Sequence, residues 1–229
     1  MKALRHTRTL KWKLIVQLIT LAIFVFLAVQ GRIQMWILIF ILGAAVSLRW
    51  GRFYCGWICP MNTLFRPVRW FYSRSGPHRS SGPAFLRKPA LKYLLLGLLA
   101  AFMVLQKVSG RQMPVLLILT GAAVVFTLFF DEEVWHAHLC PFGTLLEFSS
   151  SPSARGLVID PQRCTGCGIC EKVCPTSAIQ QVPDTGRKLP PRSIVSNMCL
   201  NCYRCAAVCP TAAISYSAVR SPETGVCGR

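Results

Sequence analysis

The chain has 229 residues, a formal net charge of +18, 53% hydrophobic residues, 15% charged residues and 12 cysteines. That mixture excludes an ordinary soluble basic protein, which carries more charge and fewer apolar residues. Residues 1–130 contain 17 Lys and Arg but no acid, and Asp131 is the first carboxylate. The sequence divides into an apolar, basic part (1–150) and a smaller, cysteine-rich part (151–229). The basic excess fits juxtamembrane loops attracted to anionic lipid, so no nucleic-acid partner is expected.

Four apolar segments stand out in the first part: Leu14–Val29, Ile33–Leu48, Leu91–Val108 and Pro114–Phe130. Each approaches the roughly 20 residues that cross about 30 Å of hydrocarbon. A soluble domain of this size has no interior for four such helices, so the pattern predicts an all-α four-helix membrane domain. Lys13, Lys92 and Lys107 are placed to snorkel, and Trp12 and Trp50 suit the interface. Lys2, Arg5, Arg8, Lys11 and Lys13 precede the first segment as in a signal peptide. The following Val29-Gln30-Gly31-Arg32 offers no small-residue cleavage site, so the segment is expected to stay attached. Five basic residues precede the first span and nine lie between the second and third. By the positive-inside rule both termini, and the cysteine-rich domain, face the cytoplasm of a bacterial inner membrane. Ser73–Pro83 reads as a Gly/Pro/Ser linker.

After the second span comes Cys55-Gly56-Trp57-Ile58-Cys59-Pro60, and after the fourth His136-Ala137-His138-Leu139-Cys140-Pro141. Overlaid, Cys59/Cys140, Pro60/Pro141, Thr63/Thr144 and Leu64/Leu145 coincide, and Cys55 falls opposite His136. In helical conformation positions i and i+4 share a face. Cys55, Cys59, His136 and Cys140 thus make a candidate metal site at the membrane surface. The donor types admit an iron–sulfur cluster with His replacing one Cys, another metal such as zinc, or free thiols.

From Cys164 the chain reads Cys164-x2-Cys167-x2-Cys170-x3-Cys174-Pro175, and it repeats this as Cys199-x2-Cys202-x2-Cys205-x3-Cys209-Pro210. Such a pair of runs is the bacterial two-cluster ferredoxin pattern, in which the fourth Cys of each run ligates the other cluster. Cys164, Cys167, Cys170 and Cys209 are therefore expected to hold one [4Fe–4S] cluster, and Cys199, Cys202, Cys205 and Cys174 the second, in a small α+β domain. Zinc knuckles have no use for the trailing x3-C-P, and a cytoplasmic position disfavours disulfides. Gly166 and Gly168 let the backbone approach cluster sulfur.

The remaining candidates receive plainer readings. His6 and His78 are expected at the membrane surface, and Cys227 is a spare thiol. Trp57, Phe65 and Trp70 read as interface anchors, and Asp131, Glu132 and Glu133 as a solvated acidic turn. No His lies within a span, which argues against a haem b held by paired intramembrane histidines.

The two C-x3-C-P motifs followed by a two-cluster segment resemble the NapH/MauN-type membrane ferredoxins, with NosR and FixG-like proteins as more distant relatives. The resemblance covers roughly Leu14 to Ser215. It implies electron transfer between the quinone pool and redox partner subunits, through Cys55, Cys59, Cys140 and the ferredoxin cysteines. The family's second motif generally reads Cys-Gly-His-x-Cys-Pro, so His138 matches its His while His136 replaces its first Cys. The expected function is a membrane-bound iron–sulfur protein passing single electrons between quinone and a partner, as a subunit of a larger complex. The alternative, suggested by FixG-like proteins, is a copper or other metal-ion reductase or assembly factor.

Overall fold

The computed structural model describes residues 2–75, 79–80, 82–110, 113–182 and 189–219, with the side chains of residues 2–7 and 75 not described. His78, Cys227, part of the Ser73–Pro83 linker and the His6 side chain lie outside it. The apolar runs carry no acid, and no proline once each helix has begun, so their backbone hydrogen bonds close within each segment. They form helices α1 (Lys2–Val29), α2 (Trp36–Trp50), α5 (Pro89–Ser109) and α6 (Val115–Phe129). Among the described residues, three stretches are long and apolar enough to cross a bilayer: Arg8–Val29, Ile33–Trp50 and Pro89–Ser109. The fourth expected span is shorter: α6 has 15 residues, about 22 Å of rise. Pro114 stays outside as its N-cap, and Phe130 turns to extended backbone at the other end.

Gly51, at φ 70°, reverses the chain after α2, and the short helix α3 (Phe53–Trp57) returns beside α2. The Tyr54 ring lies on Gly43, where a Cβ would fall 2.5 Å from it. The Tyr54 hydroxyl accepts a hydrogen bond from Trp36 Nε1 at 2.8 Å. Helix α4 (Pro60–Ser75) follows. The second half repeats the device: after α6 come α7 (Glu132–Val134), a π-helical turn (Trp135–Leu139) and α8 (Pro141–Ser149). Phe142 at the start of α8 packs edge-on against Phe40 of α2, 5.0 Å between ring centroids. Both motifs are thus folded back into the bundle. Cys55 and Cys140 are 6% and 8% exposed.

The cysteine-rich part has two antiparallel strand pairs, β1 (Arg155–Ile159) with β4 (Ile214–Ala218) and β2 (Ile179–Gln181) with β3 (Arg192–Ile194). Two short helices, α9 (Ile169–Lys172) and α10 (Arg204–Val208), complete it. Leu157, Ile159, Ile179, Ala206, Ala213 and Ile214 form its core together with Cys170 and Cys205. A core this small leaves much of the stability to whatever the cysteines bind.

Candidate metal centres

The two C-x2-C-x2-C loops share one backbone. Gly166 and Gly168 take left-handed φ values of 73°, and the equivalent Asn201 and Tyr203 take 51° and 62°. After each fourth Cys, Ser177 and Ala212 repeat the conformation at 49°. Four non-glycine residues in that region carry real strain, so the surroundings of the loop hold them there. Gly166 admits no side chain, because a Cβ would meet the Leu189 and Pro190 carbonyl oxygens at 2.7 and 2.8 Å.

One small cavity is lined by Cys164, Cys167, Cys170 and Cys209, and a second by Cys199, Cys202, Cys205 and Cys174. The fourth cysteine of each run therefore lines the cavity of the other run. The cysteines are free thiols among the described residues. Burial pushes the Cys199 thiol up to about 12, with Cys202 adding to it, and raises Cys205 as well. Such thiols become ligands only when a cation displaces their protons. Among the described residues no three His, Cys, Asp or Glu side chains converge as they would on one metal ion. A four-iron cubane keeps its thiolates farther apart than a single ion does, so the spread donor sets fit a cluster better than zinc.

The membrane motifs repeat each other as closely. Cys59 N donates to Tyr54 O and Cys140 N to Trp135 O, at 2.9 and 2.8 Å, each closing a wide five-residue turn. Thr63 and Thr144 hydroxyls donate to the Cys59 and Cys140 carbonyls, at 3.4 and 3.2 Å. These bonds explain the Thr63/Thr144 coincidence. Cys55, Cys59 and Cys140 influence one another's ionisation, so the three thiols share one neighbourhood. Burial raises all three, Cys140 to about 11. His136 is 7% exposed, and its Nε2 is buried without a hydrogen-bond partner. Burial and the neighbouring Arg204, Arg52 and Arg69, against the opposing pull of Glu132, lower it to about 3. A neutral imidazole with an unused nitrogen suits a metal. His138 instead lies half-buried near Arg87, Glu133, Lys92 and Glu147.

Several residues depart from the sequence reading. Lys13 does not snorkel; it is 4% exposed and donates to the Cys202 carbonyl at 3.0 Å. Glu132 is no solvated turn residue. It is 8% exposed and accepts from Arg69 at 2.6 Å and from Arg204, because the acidic turn packs between α4 and α10. Phe65 is fully buried beside His136, and Trp57 Nε1 donates to the Asn201 carbonyl at 3.1 Å; neither is an interface anchor. Trp70 stays exposed. Lys92 pairs with Glu147.

Models of 4Fe-4S binding domains match residues 32–76 and 112–158, covering both membrane motifs, and residues 157–180. A model of the LdpA Fe-S cluster-binding domain matches 170–221. The NapH ferredoxin-type protein of Haemophilus influenzae is 28% identical over 65% of this chain and 58% of its own length. The chain is a relative of the NapH and MauN ferredoxin-type proteins. NapH of Escherichia coli K12 is 28% identical over 58% of this chain and 50% of itself. MauN of Methylorubrum extorquens is 29% identical over 58% of this chain and 53% of itself. The NapH/MauN-like match thus spans half to three fifths of these relatives. No solved structure matches. The 4Fe-4S domains make this an iron–sulfur protein with apolar, membrane-type helices.

Three groups that position the NapH/MauN-like site escaped the sequence reading: Arg52, Asn62 and Asn201. Asn62 Nδ2 donates to the Cys55 and Gly56 carbonyls at 3.0 and 3.2 Å. Asn201 Nδ2 donates to the Trp50 carbonyl at 2.8 Å. The signal for Asn201 is its place opposite Gly166 in the repeat, since Asn tolerates left-handed backbone better than most residues.

Proposed function

We propose that the chain is a membrane-bound electron-transfer protein passing single electrons between the quinone pool and a redox partner, as one subunit of a larger complex. Cys164, Cys167, Cys170 and Cys209 hold one [4Fe–4S] cluster, and Cys199, Cys202, Cys205 and Cys174 the other. Cys55, Cys59 and Cys140, with His136 as fourth donor, hold a third iron–sulfur centre. Bound clusters supply one-electron redox chemistry. α6 serves as a fourth crossing, and the basic loops place both termini and the ferredoxin domain in the cytoplasm.

The observation that carries this reading is continuity between a membrane cavity and the ferredoxin domain. A cavity of about 690 Å³, lined by Ile37, Phe40, Tyr54, Cys59, Leu99 and Met103 among others, lies between α2 and α5. Its size and apolar lining suit a quinone ring with part of its isoprenoid tail, and Cys59 forms part of its wall. The same motif packs against the ferredoxin loop, with Cys55, Cys59, Leu200 and Cys202 in one apolar cluster. The cavity and the Cys199 ligand loop therefore both border the same cysteine motif.

The test is an anaerobic preparation titrated by EPR at stepped potentials, with iron and sulfide assays, and then mixed with a short-chain quinone or with Cu(II). About eight irons or more per chain and reoxidation by quinone are expected. Reoxidation by Cu(II) alone favours the metal-reductase reading and overturns this one.

A further inference from the structure

We infer that Arg52 is a positioning residue that clamps the Cys199 ligand loop to both membrane motifs and raises the reduction potential of the centre held there. Arg52 follows the Gly51 reversal and is 2% exposed. Its Nη1 donates to the carbonyl of Met198, the residue before Cys199, at 3.4 Å. Cys55 lies three residues further along the same short turn, in helix α3. The guanidinium reaches the second motif too: a Cβ on Gly143 would lie 2.8 Å from Arg52 Nη2, and Gly143 N donates to Cys140 Sγ at 3.3 Å.

One side chain thus touches both halves of the membrane repeat and the ferredoxin loop, which are separated by about ninety and about 146 residues of chain. Its Nε is buried with no hydrogen-bond partner. A cation buried among neutral thiols is costly. Among thiolates ligating iron it is compensated, so its burial fits an anionic cluster in this place. A positive charge next to such a cluster favours the form carrying one more electron, and removing it lowers the midpoint potential. The planar fork of arginine, unlike lysine, donates in two directions at once.

The inference rests on the proposed ligation of a cluster by Cys174, Cys199, Cys202 and Cys205. The full-length wild type, Arg52→Gln, Arg52→Lys and Gly143→Ala are prepared anaerobically. Iron is counted, and the EPR midpoints are assigned to the two ferredoxin sets with Cys167→Ser. In R52Q the midpoint of the Cys199 set is expected to fall while that of the Cys164 set stays in place. R52K returns it toward wild type. G143A, which pushes the guanidinium aside without removing it, lowers it by a smaller amount and decides the question if R52Q does not accumulate. An unmoved Cys199-set midpoint, or an equal fall in both sets, overturns the role of Arg52 while leaving the cluster reading intact. Iron-free wild type overturns both.

Discussion

Gly56 of the first membrane motif meets Leu200 of the second ferredoxin loop so closely that a Cβ on Gly56 would sit 2.1 Å from the Leu200 carbonyl oxygen. Main chain faces main chain here, so no side-chain rotation relieves an added methyl group. Around the contact, Gln17 donates to the Gly56 carbonyl at 3.1 Å and Arg66 to Gln17 at 2.9 Å. Gly56→Ala is expected to force the ferredoxin loop off the motif, at a cost on the order of 1–3 kcal/mol. Iron at the Cys164 set stays, while reoxidation of the reduced ferredoxin clusters by quinone slows. Rapid-mixing absorbance of the dithionite-reduced protein with a short-chain quinone checks it.

Glu132 receives two arginines, one from α4 and one from α10, and so ties the membrane part to the cluster loop. Burial pushes its carboxyl up, but Arg204 and Arg69 outweigh burial and hold it at about 2, below the ordinary 4.5. A folded-state value below the unfolded one means that its contribution is complete above about pH 4.5 and is lost as pH falls toward 2. Glu132→Gln, which leaves Arg69 and Arg204 without their buried carboxylate, is expected to cost about 3 kcal/mol at neutral pH. The loss shrinks as the wild type is acidified through that window. Thermal unfolding in detergent across pH 2–7 measures both.

The exchange of fourth cysteines between the two cavities predicts which signal each substitution removes. Cys209→Ser is expected to remove the EPR signal of the Cys164 set, and Cys174→Ser that of the Cys199 set. The opposite pattern would assign each run to its own cluster.

Filling the cavity between α2 and α5 separates quinone access from cluster assembly. Leu99 lines the cavity from α5, and Leu99→Trp is expected to slow reoxidation of the reduced clusters by quinone by about tenfold, the equivalent of 1.4 kcal/mol. Iron content and dithionite reduction should match the wild type.

Both repeats were legible because each depends on local spacing. A C-x2-C-x2-C loop dictates where three thiols stand, and the trailing x3-C-P carries the fourth away. Their backbone confirms the equivalence in detail, with Asn201 and Tyr203 bent like Gly166 and Gly168. The apolar runs were legible for the same reason, since a helix satisfies its own backbone within one segment. Span length was less so at α6, where Pro114 and the extended Phe130 trim the apolar run to 15 residues.

Hydropathy and ligand spacing by themselves determined an apolar helical part, two ferredoxin ligand runs and a duplicated C-x3-C-P or H-x3-C-P motif. Only the tertiary structure decided that Gly51 folds the first motif back along α2, that Lys13 and Glu132 are buried rather than solvated, and that Arg52 joins three distant pieces of chain. Charge and hydropathy along a sequence report a residue's own preference for water. They do not report the partner, often more than sixty positions away, whose carbonyl or carboxylate makes its burial favourable.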